Sequence, residues 1–294
     1  MLEFIQDLTR SPLLQFALLA GILASVACGV IGSYVVVRRI TYVAGGIAHC
    51  VLGGMGAAYY LHNNWGWEFL HPLHGAFVAA ILAAVLIGLA RLRGGQREDT
   101  IVGALWAVGM AVGVLFIFST EGYEADLMSY LFGNIIMVAK EDLWLLIGLD
   151  IAVVAVGLLF YNQLQAVCFD EEFARLRGIH VELFYILLLC LTAVTVVTLV
   201  SVVGIVMVIA LLTLPVAVAG QFCKTLWQMM LASAVLSMVF TSSGLAISYT
   251  PEWPAGAVTI LLAGVVYVLV LLGSAIARIR RAPAERSIAP PTHS

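Results

Sequence analysis

One imidazole stands where a soluble protein would have no use for it. His49 lies in the middle of the apolar run at 41–61, TYVAGGIAHCVLGGMGAAYYL, which holds no charged residue. On a helix, residues four apart lie above one another, so Gly45, His49 and Gly53 form one line, continued by Gly56 and Ala57. Small residues let another backbone come close. The reading is a ring that looks into a narrow path between helices, past which a small cation moves. Neutral imidazole is a common ligand for zinc and other borderline transition ions. The competing role is interhelical packing or hydrogen bonding. Asp150, inside LLIGLDIAVV, is the second such group, as a second ligand, a proton partner or a structural acceptor. A third set lies at 62–74, HNNWGWEFLHPLH, where His62, Glu68, His71 and His74 fall together. His71 and His74, three apart, can chelate if helical; the competing reading is a solvated loop with interfacial tryptophans. Glu121, Glu124 and Asp126 can draw cations to the same face.

The elements that must hold these groups are membrane helices. Of 294 residues, 63% are hydrophobic and 11% charged, and the mean hydropathy is +1.07. A soluble domain carries about 25% charged residues, so the chain is an all-α polytopic membrane protein. A span needs about 20 apolar residues, and runs near 13–37, 41–61, 73–92, 100–119, 142–161, 181–199, 203–221, 226–247 and 254–277 qualify. The run at 203–221 follows so closely on its predecessor that it also reads as a short helix packed inside the bundle. Eight or nine transmembrane helices are expected. With nine and the N-terminus outside, every basic residue except Arg10 and Lys140, out of 14, falls on the cytoplasmic side. That bias supports the orientation. Glu3 and Asp7 replace the basic start of a signal peptide, so the first run is expected to be retained as a span.

Two segments lie between spans. The first, 121–142, is acidic at both ends and amphipathic between them, and is expected along the outer surface or dipping partway in. The second, 168–180, CFDEEFARLRGIH, repeats Asp170, Ala174 and Gly178 every four residues and predicts a short cytoplasmic helix ending at glycine. The organisation expected is a permease domain at 1–278 and a disordered cytoplasmic tail at 279–294. The net charge of −3 and the lack of basic clusters interleaved with aromatics speak against nucleic acid. The five cysteines share no CxxC spacing and read as small buried residues. Neither lysine sits in a Gly-Lys-Ser/Thr sequence, so the chain has no P-loop. HExxH and Gly-x-Ser-x-Gly are missing too, and the chain does not read as an enzyme.

Four stretches carry a resemblance: SYVVVRRITYVAGGIAHCVLGG (33–54), DLMSYLFGNIIMVAKEDL (126–143), FDEEFARLRGIHVELFYILLLCLTAVTVV (169–197) and VVGIVMVIALLTLPVAVA (202–219). Together they resemble the ABC-3 permeases, the membrane subunits of bacterial importers for zinc, manganese or iron(II). The resemblance implies an ABC importer permease fold in the bacterial plasma (inner) membrane. Two permease copies would form the path, an extracytoplasmic binding protein would deliver metal, and a cytoplasmic ABC ATPase would use the ATP. No cofactor is expected beyond the transported ion. The helix at 169–178 matches the family's coupling helix, which seats on the ATPase, and implies that role for Phe169, Asp170, Glu171, Ala174, Arg175 and Gly178. His62, His71, His74, Glu124 and Asp126 would line the outer mouth.

The family's second span usually reads Gly-Asp-Ala-Leu-Ser-His, with Asp and His four apart holding metal. Here the histidine is His49 and the aspartate position is Gly45. Imidazole without carboxylate favours zinc over the harder manganese, and Asp150 or water would complete the shell. The alternatives are the same machine carrying Mn(II), Fe(II) or a chelate, a proton-coupled secondary transporter working through His49 and Asp150, and an assembly or sensory subunit without transport.

Overall fold

The computed structural model describes residues 2–67, 69–93, 98–120 and 140–286. Among these residues the regular elements are all α-helices. In chain order they are α1 (Leu2–Arg10), α2 (Pro12–Val37), α3 (Thr41–Trp65), α4 (Pro72–Arg93), α5 (Glu98–Phe118) and α6 (Lys140–Leu159). There follow α7 (Tyr161–Phe169), α8 (Glu171–Leu176), α9 (Val181–Val203), α10 (Ile205–Ala219), α11 (Leu226–Tyr249) and α12 (Ala255–Arg286). The five cysteines are free and buried or half-buried.

Every segment expected to be a span falls on a helix, but the helices differ in what they can cross. Six are long and apolar enough to span a membrane: α2, α4, α5, α9, α11 and α12. A seventh results if α6 and α7, bent by 70°, count as one. The break comes at Phe160, a bend the uninterrupted apolar run did not announce. α3 has the length, at 25 residues, but its glycines, His49 and paired tyrosines dilute its apolar character. α10 has only 15 residues. Gly204 separates it from α9 with φ 81° and ψ 160°, a conformation essentially restricted to glycine. Gly204→Ala is therefore expected to cost ~1–3 kcal/mol and to lower the thermal unfolding midpoint of the detergent-solubilised protein. The last helix continues past Arg278 to Arg286.

Small residues set the packing of the bundle. A Cβ built on Gly29 of α2 would stand 2.7 Å from the Ala234 backbone of α11. α3 is gripped on two sides. A Cβ on Gly54 would meet the Gly75 carbonyl of α4 at 2.2 Å, and one on Gly53 the Gly109 carbonyl of α5 at 2.7 Å. Gly56 stands equally close to the Gly113 carbonyl. The small residues below His49 thus bring in another backbone, as expected, but it is α5 of the same chain, and at Gly53 and Gly56 no path is left between the helices. Gly45 differs, because its neighbours are the side chains of Trp106 and Ile209.

The two ends of the bundle are unlike. At one, Tyr249 Oη donates to Asp7 at 2.8 Å and Asn64 Nδ2 to the Ser119 carbonyl at 3.4 Å. At the other, arginines and glutamates from α4, α5, α8, α9 and the α2–α3 turn converge. Between α2 and α3 the chain turns over Arg38 to Ile40, with Arg39 at φ 62°. A non-glycine residue in this left-handed region costs about 1–2 kcal/mol.

Candidate metal site and coupling surface

His49 sits mid-way along α3 and is 8% exposed. Its ring stacks on Trp106 of α5, with centroids 4.3 Å apart and planes 16° from parallel. The ring's Nδ1 is buried and has no hydrogen-bond partner among the described residues. A buried donor or acceptor left unpaired costs roughly 1–3 kcal/mol, so the nitrogen is held open at a cost. One turn away, a Cβ on Gly45 would stand 3.3 Å from Cζ3 of the same indole. Cys50 Sγ donates to the Leu105 carbonyl at 3.2 Å, fixing the α5 backbone beside Trp106. Sequence reasoning missed Trp106. The signal was available, since Trp106, Gly109 and Gly113 lie three and four residues apart and share one face of α5.

Asp150 is also buried, with Oδ2 unpartnered among the described residues. It lies on α6, which packs on α2 and α9, whereas α3 packs mainly on α4 and α5. Its electrostatic neighbour is Cys28 of α2. Among the described residues no group of three or more His, Cys, Asp or Glu side chains is arranged to hold a metal ion.

The histidines expected at the outer mouth are partly occupied. His62 Nδ1 stands 3.2 Å from the Trp67 carbonyl. His71 Nδ1 accepts from the Leu73 amide at 3.3 Å, and His74 Nδ1 accepts from the His71 amide at 3.2 Å. Both bonds satisfy free amides at the start of α4, each with an imidazole as the acceptor. The three-residue spacing therefore serves the helix end, and only the Nε2 atoms remain for an ion. Glu68, Glu121, Glu124 and Asp126 lie outside the described residues.

At the charged end, α8 is the short helix the sequence predicted. Asp170 caps it, accepting from the Phe173 amide at 3.0 Å, and Gly178 ends it at φ +77°. Ala174 is fully buried against Val167 and Val181. Glu171 does not point away from the bundle. It accepts from Arg38, beyond the end of α2, and from Arg91 Nη2 of α4 at 2.5 Å. Arg91 also reaches Glu98 of α5, which accepts from Tyr185 of α9. Burial, then the neighbouring Arg91 guanidinium, lowers the Arg38 pKa, and Glu171 lies between the two cations. Arg175 pairs with Glu182 at 2.5 Å. The outward face consists instead of Phe169 (64% exposed), Phe173 and Leu176 (88% exposed). Beside it lies a groove of about 650 Å³ bordered by Gln163, Phe169, Phe173 and Arg177. Phe173 and Leu176 were not foreseen as part of this surface.

Residues 10–274 match the ABC 3 transport family. The chain belongs to the ABC-3 transport family. An uncharacterised membrane protein of Synechocystis sp. is 40% identical over 271 residues, covering 92% of this chain and 94% of its own. The manganese transport system membrane protein MntC of Halalkalibacterium halodurans is 31% identical over 266 residues, covering 90% and 89%. Among solved structures, PsaBC from Streptococcus pneumoniae in complex with Fab superposes with TM-score 0.81 at 28% identity, covering 91% of this chain and 94% of that one. This ABC-3 permease is thus a multi-pass membrane subunit of an ABC metal importer with the importer permease fold. It is not an enzyme, and ATP hydrolysis belongs to a separate subunit.

Proposed function

We propose that the chain carries divalent transition-metal ions inward past His49, with zinc the preferred ion. One observation carries this reading: an imidazole buried mid-helix keeps Nδ1 unpaired and has glycine, not a carboxylate, one turn away. Such a donor suits zinc better than manganese. Manganese is the second reading, favoured by the 31% identical relative named for its transport. Two copies would place two His49 rings on the path, and an extracytoplasmic metal-binding protein would load it from the His62, His71 and His74 side. Asp150, on another helix face, is a secondary ligand or proton partner. The finer topology belongs to the same proposal. α3, α10 and the bent α6–α7 pair cross or line the membrane together with the six clear spans, the N-terminus is outside, and α8 is the cytoplasmic coupling helix.

The coupling surface has its own test. Exposed apolar side chains beside a groove fit a partner protein better than water. Leu176→Asp is expected to cut co-purification of the ATPase subunit by about tenfold or more, the equivalent of burying a charge in place of a leucine. Undiminished co-purification would remove α8 from the interface.

The whole reading is tested by uptake of zinc, manganese and iron(II) into vesicles holding this chain with its ATPase and binding protein. ATP-dependent zinc uptake supports it. Manganese uptake alone changes the cargo and keeps the machine. Uptake of no metal, or uptake driven by a proton gradient without ATP, rejects it.

A further inference from the structure

We propose that Trp106 determines which ions pass His49, an inference that rests on His49 lying on the path. The indole covers one face of the imidazole at 4.3 Å. It also takes the space beside Gly45, where a Cβ would already stand 3.3 Å away and Ile209 closes the other side at 3.9 Å. Glycine at 45 is what admits the ring: a methyl group already presses on it, and anything longer must displace it. The result is a one-sided site, with a nitrogen donor, an aromatic wall over its face, and glycine where a carboxylate would otherwise stand.

That construction discriminates by hydration and by donor type. A hard ion such as manganese, which prefers carboxylate, carbonyl and water oxygen, finds none of these on the walled side. A borderline ion such as zinc gains the imidazole nitrogen and gives up part of its water shell against the indole. Removing the indole opens space for water oxygen and should let harder ions compete.

The test is competition between zinc and manganese for ATP-driven uptake by the full importer in vesicles. The wild type should prefer zinc. Trp106→Phe keeps an aromatic wall and should keep the preference. Trp106→Ala should retain zinc uptake while the zinc-to-manganese ratio falls about tenfold or more, the lower end of what one pocket contact discriminates. If Trp106→Ala does not assemble, Gly45→Ala supplies the perturbation from the other side, and the ratio should shift with it. An unchanged ratio in the variant that assembles overturns the role of Trp106, as does a wild type that carries manganese as readily as zinc. His49→Ala separates the two levels. If its uptake matches wild type, His49 is not on the path and the site reading fails with it. If uptake is lost but the Trp106 variant keeps the wild-type ratio, only this inference fails.

Discussion

Replacing His49 by alanine is expected to abolish ATP-driven metal uptake while assembly and basal ATP hydrolysis persist. The ring is buried mid-way along α3, and among the described residues its Nδ1 is held without a partner. Losing even an outer-shell partner of a metal ligand costs roughly 10–100-fold in affinity or activity, and losing the donor itself should cost at least that. The fold has little reason to fail. The substitution leaves the contacts of Gly53, Gly54 and Gly56 untouched and removes an unpaired polar atom from the interior. Vesicle uptake, read beside co-purification and ATP turnover, separates a lost site from a lost assembly. Wild-type uptake in His49→Ala would take the residue out of transport.

The second large effect is expected at Glu171. Its carboxylate lies between the Arg38 and Arg91 guanidinium groups, and so joins α8 to the turn leading into α3 and to the end of α4. α8 thereby has a polar connection to the turn that leads into the helix carrying His49. Glu171→Lys would set three cations together at this point. Losing charge-assisted hydrogen bonds here forfeits ~1–3 kcal/mol, which as a coupling energy between ATPase and path is a ~5–150-fold effect. The expected result is an importer whose ATPase stays bound through Phe169, Phe173 and Leu176 and still hydrolyses ATP, but whose metal uptake per ATP falls by that factor. Glu171→Gln should show a smaller loss in the same direction. Uptake per ATP at the wild-type level in Glu171→Lys would show that the connection transmits nothing.

The sequence was most legible where one physical rule acts alone. Apolar runs of bilayer length placed the long helices, and the four-residue recurrence ending in Gly178 placed α8, because helix period and a left-handed terminus are both local properties. It was less legible where the outcome depends on a neighbour. The 70° bend at Phe160 leaves no proline or glycine at the break. Glu171 looked like a surface charge for the ATPase because its partners are 133 and 80 residues away. For His71 and His74 both a chelate and a solvated loop stood open, because spacing alone cannot say that their Nδ1 atoms are already accepting amide protons from the start of α4. Trp106 did not stand out, since nothing local tells an indole that faces lipid from one that lies on a ring of another helix.

The glycine contacts on both sides of α3 bear on how the protein can move. Backbones that meet across Gly54 and Gly75, and across Gly53 and Gly109, have no side chains to slide over or repack. α3, α4 and α5 should therefore travel as one slab, and their facing amides should be among the slowest to exchange hydrogen for deuterium. Alternation between outward and inward states must then be taken up at the edges of the slab. The strained turn at Arg39 is such an edge. It lies one residue from the Arg38–Glu171 contact, so α8 is tied to the joint itself.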